Sequence, residues 1–187
     1  YKAIKELAHL IQYVSSERIQ IELTKTLISQ NPGKIKEIAT CGLVQFIIPE
    51  FESVIGLEQN NPYHQYSVDN HIYESLAFIE AEPHLRWTMF LHDIGKGFTK
   101  TTDEKGIDHF YTHPLVSEKI ALKTLKNLKF DNKTLDKVTK LIRFHDYRFK
   151  SDKKSVRKAI SRIGGLYFED LLLVKEADIK SQHDDYE

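Results

Sequence analysis

Apolar residues recur every three or four positions along most of this chain, a spacing typical of amphipathic helices. The pattern predicts helices over 2–13, 15–29, 69–80, 84–94, 114–128, 132–146, 153–163 and 166–180. Ser15 and Ser16, followed by Glu17, are start signals for the second of these helices. The chain is therefore predicted to be all-α and to form a helical bundle.

The apolar run 42–50 is less regular and has the composition of a strand. The many helices around it favour short helices on either side of Pro49 instead. Pro32 fits the first turn of a helix, and Gly42 fits the left-handed residue that ends one. These residues predict a series of short helical segments rather than one long helix.

Two polar stretches interrupt the helical pattern. Residues 99–111 contain two short segments of β-formers on either side of Asp103-Glu104-Lys105-Gly106, which predicts a β-hairpin. The run 58–62 is the best candidate for a boundary. It predicts a small helical neck over 1–60 and a larger domain over 61–187.

Composition excludes several classes of protein. The 27 Lys and Arg balance the 27 Asp and Glu, so any basic surface must be local. The one cysteine, Cys41, excludes an internal disulfide framework and a zinc site built on cysteines, and fits a reducing cytoplasm. No apolar run is long enough to span a membrane. The start at Tyr1, without an initiator Met, predicts a piece of a longer protein.

His92 and Asp93 stand next to each other at the end of a predicted apolar helix, before the turn Gly95-Lys96-Gly97. Adjacent residues on a helix point about 100° apart, so both side chains reach one metal ion only near a helix end. The dipeptide alone is weak evidence. Further histidines and a carboxylate on other predicted helices make it stronger.

Helical phase places these further residues toward the core. His71 shares a face with Ser75 and Phe78, and His145 shares one with Val138 and Ile142. Asp178 likewise follows Leu171 and Val174 at helical spacing, and a carboxylate in a helical core needs a compensating charge.

Each imidazole alone is more often a satisfied core histidine, and Asp178 alone could form an internal salt bridge. A divalent metal ion accounts for the whole set at once. The predicted ligands are His71, His92, Asp93, His113, His145 and Asp178.

Nitrogen and oxygen ligands exclude copper(I) and leave Mn, Ni, Fe, Co, Mg or Zn open. Six ligands exceed one tetrahedral site, and two ions about 3.5–4 Å apart would accommodate them. The sequence does not decide between one ion and two.

Lys96, His64 and His109 are further candidates for binding substrate, beside the predicted ligand His113. Lys96 could bind a phosphate as a point charge, or it could be a solvated loop lysine. His113 precedes Pro114 at a predicted helix start, where anions are favoured. His64 and His109 are near the predicted ligands in the sequence and could line the same pocket.

The series His71, His92-Asp93, His113, His145 and Asp178 resembles the HD superfamily of metal-dependent phosphohydrolases. A closer resemblance is to the bacterial tRNA nucleotidyltransferase (CCA-adding)/poly(A) polymerase family whose members carry a carboxy-terminal HD domain. The segments that carry this likeness are 16–23, 41–44, 48–50, 58–64 and 106–113.

The resemblance implies a neck followed by an HD domain, without the nucleotidyl-transfer head. It implies metal-dependent phosphatase or 2′,3′-cyclic phosphodiesterase activity on a phosphoester or nucleotide. Asp93, His113, His145 and Lys96 are the implied catalytic residues. Of the implied ligands, one ion would be held by His71, His92, Asp93 and Asp178. His113 and His145, with Asp93 bridging, would hold a second ion or the substrate phosphate.

The resemblance also leaves open a catalytically silent module that binds tRNA or mediates a homodimer in the parent protein. Basic residues bear on this alternative. Those of 119–140 recur at helical spacing and are expected on a solvated face. The stretch 143–162 is denser in Lys and Arg, which fits either contact with a phosphate backbone or ordinary solubility.

Overall fold

The computed structural model describes residues 2–60 and 66–182. The first part is a run of short helices. Helix α1 (Lys2–Leu7) continues as a 3₁₀ helix to Tyr13, and α2 (Ser16–Leu27) follows. The Ser15 hydroxyl caps α2 by accepting from the Arg18 amide at 3.3 Å. The remaining segments are a 3₁₀ helix Pro32–Lys36, α3 (Glu37–Thr40), α4 (Val44–Ile47) and a 3₁₀ helix Pro49–Val54.

The second part holds the longer helices. They are α5 (Val68–Ser75), α6 (Pro83–Leu91), α7 (His113–Asn127), α8 (Asn132–Phe144), α9 (Lys153–Ile163) and α10 (Gly165–Lys180). Asp131 and Asp152 cap α8 and α9, each accepting from two backbone amides. A two-stranded antiparallel hairpin, β1 (Thr101–Thr102) with β2 (Asp108–His109), precedes α7.

Helix α6 lies at the centre of the packing. Its residues 85–91 are all buried, and it contacts α2, α5, α8 and α10. A helix that is apolar on all sides must be surrounded by others. Two polar atoms of α6 reach the neck: Trp87 Nε1 donates to Thr24 Oγ1 at 2.9 Å, and Arg86 Nη1 donates to the Leu27 carbonyl at 3.2 Å. The neck and the larger domain therefore share one core.

The predicted all-α class is confirmed, with the hairpin inside the predicted range. Short helices lie on either side of Pro49, as expected, and the segment forms no strand. Gly42 has a left-handed φ of 74°. The predicted inward position of Phe78 is wrong, because the chain tightens into a 3₁₀ turn at Leu76–Phe78 and leaves this ring 49% exposed. Within the described residues, none of the helices has the length and apolarity that a membrane crossing requires.

Candidate metal centre

The structure brings together all six residues predicted as ligands. Asp93 lies at the centre, with one carboxylate oxygen facing each of two histidine pairs. Its Oδ2 is 3.4 Å from His92 Nε2 and 3.6 Å from His71 Nε2. Its Oδ1 is 3.2 Å from His113 Nε2 and 3.6 Å from His145 Nε2. Five separate segments of the chain thus meet at one point.

Asp178 adds a second carboxylate on one side of the cluster. Its Oδ1 lies 3.0 Å from His71 Nε2 and 3.6 Å from His92 Nε2. Two trios of potential ligands each have donor atoms within 4.8 Å of one another: His71, His92 and Asp178, and His92, Asp93 and His145. Either trio could hold a metal ion, and His92 is common to both.

Helix ends orient three of the four imidazoles. His92 and His145 are the C-cap residues of α6 and α8, and His113 is the first residue of α7. Each directs Nδ1 at the carbonyl oxygen three residues earlier, at 2.7–2.8 Å. A carbonyl only accepts, so each Nδ1 carries the proton and, in the neutral ring, each Nε2 offers a lone pair to the cluster.

The donor set fits a divalent cation. Nε2 of His113 lies 3.1 Å from Nε2 of His145, and Nε2 of His71 lies 3.3 Å from Nε2 of His92. In the neutral rings of His113 and His145, two lone pairs face each other at hydrogen-bond distance and repel unless a proton or a cation lies between them. With the buried carboxylate of Asp93 and the partly buried one of Asp178 beside the imidazoles, this is the nitrogen and oxygen environment that first-row divalent ions bind.

The electrostatics of the cluster favour ionised carboxylates. Burial would raise the pKa of Asp93, but the ammonium of Lys96 and the imidazole of His92 outweigh it and hold this pKa well below its usual range. Burial would also raise the pKa of Asp178, but the hydrogen bond from His71, together with the nearby His92 imidazole, holds this pKa well below its usual range. Both groups are therefore anionic at neutral pH, as a cation site requires.

Lys96 is buried beside the cluster, at 5% exposure, so its interpretation as a solvated loop lysine is wrong. Its Nζ lies 2.7 Å from Asp93 Oδ2 and donates to Gln59 Oε1 at 2.9 Å. The same ammonium lies over the Phe110 ring, 5.4 Å from its centroid. Its role in binding substrate stays a prediction.

The turn after Asp93 is packed tightly against its neighbours. A Cβ added at Gly95 would meet the His113 carbonyl oxygen at 2.5 Å and the Ser117 amide nitrogen at 2.7 Å. Ser117 Oγ accepts from the Gly95 amide at 2.8 Å. Glycine is therefore needed here for the close approach of this turn to the start of α7, which brings Asp93 and His113 together.

A pocket of about 560 Å³ opens onto the cluster. Its lining includes Asp93, Lys96, His113, His145, Asp178 and residues 108–112. His109 lies in this lining with Nε2 3.0 Å from Asp103 Oδ2, and its contact with substrate stays a prediction. His64 lies outside the described residues.

Sequence reasoning missed three residues around this site. Tyr111 and Gln182 line the pocket, and Gln59 holds Lys96. Helical periodicity could not find Tyr111, because it lies between the hairpin and α7, outside both elements. The nearby stretch 143–162 also contributes Arg148, whose side chain is 92% exposed at the pocket.

Comparison with known families agrees with this geometry. Residues 69–179 match the model of the HD domain. Residues 1–55 match the model described as the probable RNA and SrmB-binding site of polymerase A. The first match includes every residue of the cluster, and the second covers the helices of the neck.

Similar curated proteins are tRNA nucleotidyltransferases. The CC-adding tRNA nucleotidyltransferase of Thermus thermophilus is 27% identical over 177 residues, 91% of this chain and 41% of its own. The A-adding tRNA nucleotidyltransferase of Deinococcus radiodurans is 28% identical over 169 residues, 87% of this chain and 38% of its own. The multifunctional CCA protein of Legionella pneumophila is 32% identical over 111 residues, 55% of this chain and 26% of its own. This chain spans about two fifths or less of the length of these relatives.

Proposed function

Because this chain belongs to the HD domain family, we propose that its histidine and aspartate cluster binds a divalent cation and hydrolyses phosphoesters. The observation that carries the proposal is the pair of short Nε2–Nε2 distances, 3.1 and 3.3 Å, beside the buried Asp93 and the partly buried Asp178. The substrate class we propose is a phosphomonoester or a 2′,3′-cyclic nucleotide.

In this mechanism His71, His92, Asp93 and Asp178 hold the metal ion. A divalent cation bound there would supply Lewis-acid polarisation and a water of lowered pKa. The remaining residues of the site, His113, His145 and Lys96, would contact the substrate. His113 and His145 lie on the far side of Asp93 and face the pocket, where their Nε2 atoms can bind a second ion as neutral rings or donate to a phosphate oxygen when the rings are protonated.

Lys96 has a positioning part in this proposal. Its ammonium neutralises Asp93 Oδ2 at 2.7 Å and so fixes the carboxylate between the two histidine pairs. As a residue of the pocket lining, it also adds positive charge where a phosphate would enter. Burial of these groups excludes water and strengthens each charge interaction.

Metal content tests the proposal directly. Elemental analysis of the purified protein after incubation with Mn, Ni, Fe, Co, Mg or Zn should give one or two bound ions for the wild type and a loss of binding in Asp93→Ala. Hydrolysis of p-nitrophenyl phosphate and of adenosine 2′,3′-cyclic phosphate should follow metal content.

A matched control uses another aspartate that faces a histidine. Asp170 Oδ2 lies 3.6 Å from His84 Nε2, outside the cluster and outside the pocket lining. Asp170→Asn should keep both metal and turnover. Equal metal content and equal turnover in wild type and Asp93→Ala would count against the proposal.

A second function is favoured by the match of residues 1–55 to an RNA-binding segment. We propose that the neck and the exposed basic residues of 143–162 bind tRNA in the cytoplasm, within a longer protein that performs nucleotidyl transfer. The same proposal includes a boundary between the neck and the HD domain near 58–62. It also includes a dimer contact through the neck. RNA binding and phosphoester hydrolysis can coexist, because the exposed basic residues of 143–162 other than Arg148 lie outside the pocket lining.

A further inference from the structure

Tyr111 presents a large aromatic ring at the pocket. It stacks on the His109 ring with centroids 5.2 Å apart and planes 8° from parallel. Although His109 covers one face, Tyr111 remains 70% exposed. The exposed surface of Tyr111 therefore consists of the ring edges and the face opposite His109. Both residues line the pocket.

The hairpin fixes this aromatic pair in place. His109 is paired with Thr101 across the two strands, and its Nε2 lies 3.0 Å from Asp103 Oδ2. Asp103 is itself held by the amides of Lys105 and Ile107, which donate to its Oδ1 at 2.9 Å. The His109 ring is thus ordered before anything binds, which reduces the entropy cost of stacking on it.

The backbone between Tyr111 and the cluster has an unusual conformation. Thr112 has φ 65°, in the left-handed region that a β-branched residue rarely adopts. This turn allows His113 to enter the cluster while Tyr111 lines the pocket wall. The Cα atoms of Tyr111 and His113 are therefore at most about 7 Å apart, and both residues line the same pocket.

We propose that Tyr111, backed by His109, is the stacking platform for the nucleobase of the substrate. The inference rests on the proposed function, in which the phosphate lies at His113 and His145. A flat base continues a parallel stack of rings and uses the whole exposed face of Tyr111. The platform would make the site select phosphoesters that carry a base over those that do not.

Binding measurements test the platform without catalysis. Adenosine 3′-monophosphate and ribose 5-phosphate are titrated by calorimetry into metal-free wild type, Tyr111→Ala and Tyr111→Phe, so that neither probe is hydrolysed during the measurement. We expect Tyr111→Ala to bind the nucleotide about tenfold more weakly, within the range known for base stacking on aromatic side chains. It should bind ribose 5-phosphate like the wild type, and Tyr111→Phe should retain nucleotide binding.

Tyr13→Ala is the matched control, since Tyr13 is 86% exposed and lies in the neck, outside the pocket lining. It should bind both probes like the wild type. Equal nucleotide affinity in wild type and Tyr111→Ala would overturn the inference, as would a wild type that does not distinguish the two probes.

A hydrolysis experiment separates this inference from the proposed function. Adenosine 2′,3′-cyclic phosphate is compared with glycerol 1,2-cyclic phosphate, which has no base. If neither is hydrolysed but nucleotide binding depends on Tyr111, the proposed function fails and the platform stands. If both are hydrolysed and Tyr111→Ala lowers their kcat/KM equally or not at all, the platform fails and the function stands.

Discussion

Asp93 organises the site at the residue scale because its two oxygens face different histidine pairs. Without this carboxylate, the Nε2 atoms within each histidine pair would still lie close together. No anion would then lie between the two pairs. The ammonium of Lys96, 2.7 Å away, compensates the negative charge of Asp93. The same ammonium donates a hydrogen bond to Gln59 and lies over the Phe110 ring. The buried charges thus form a connected set, as buried ionic groups require.

Gly95→Ala tests the close approach of the turn to α7. The added methyl would meet backbone atoms at 2.5–2.7 Å, which cannot rotate away. We expect destabilisation of about 1–3 kcal/mol, as in other overpacked sites, measured from denaturant unfolding. Gly33→Ala is the control, since its nearest atom would be at 3.9 Å, and it should be neutral or slightly stabilising. An equal effect of both substitutions would contradict this account.

Asp108 provides a prediction on pH. Its carboxylate accepts from Lys100 Nζ, the Asn60 amide and Thr102 Oγ1 at 2.7–2.8 Å. These interactions lower the pKa of Asp108 from 3.8 to about 2, and the hydrogen bond from Lys100 has the largest effect. Because the folded pKa lies below the unfolded one, this stabilisation is complete above about pH 4. It is lost as the pH falls toward 2.

The measurement is the difference in urea midpoint between wild type and Asp108→Asn at several pH values. The variant should be less stable at pH 7, and the difference should narrow below about pH 4 as the wild type loses its carboxylate. A difference that stays constant from pH 7 to pH 3 would show that Asp108 acts without its charge.

Residues of the cluster could be predicted because imidazoles and carboxylates on apolar helix faces need a common explanation. Asp178 is an example, since its phase with Leu171 and Val174 correctly indicated an inward side chain. Tyr111 could not be predicted in this way. Its position depends on a hairpin register and on the left-handed Thr112, neither of which leaves a periodic pattern in the sequence.

At the scale of elements, Lys175 links two helices that supply cluster residues. It lies on α10 one turn before Asp178, and its Nζ donates to the His145 carbonyl at 2.8 Å. That carbonyl lies at the end of α8, where helix carbonyls lack intrahelical partners. Lys175 therefore connects the end of α8 to the helix that carries Asp178.

We expect Lys175→Met to lower the free energy of unfolding by about 1.5–3 kcal/mol, the range for a hydrogen bond to a charged group. It should also lower metal content. Lys180→Met on the same helix is the control, because within residues 2–60 and 66–182 Lys180 pairs with Glu176 on the exposed surface, and its loss should change stability by less than about 1 kcal/mol. Equal stability of the two variants would mean that the Lys175 contact contributes little.

Helix positions followed from the sequence more closely than helix ends. The predicted helix 132–146 is observed as Asn132–Phe144, with the Asp131 cap that starts it. The predicted helix 84–94 ends earlier, at Leu91. The side chain of His92 donates a hydrogen bond to the Met89 carbonyl, and Gly95 packs closely against α7. The helix therefore ends at the point where the cluster forms.

At the scale of the whole molecule, the neck and the HD domain share a core through α2 and α6. Trp87 and Arg86 each donate to residues of α2. The segment that matches the RNA-binding model is therefore packed against the HD domain through these contacts. Net charge is zero, so attraction of a polyanion depends on where the basic side chains lie.

Arg157 and Lys158 test the basic surface, since both are exposed on α9. The double variant Arg157→Gln/Lys158→Gln should bind tRNA more weakly at low salt. The slope of log K against log salt should fall by up to about two, roughly one for each lost phosphate contact. Filter binding at several salt concentrations measures both quantities. The control is Lys119→Gln/Lys126→Gln on α7, which removes the same charge from a solvated face and should change neither. If both variants weaken binding equally, tRNA responds to net charge alone and α9 is no specific contact surface.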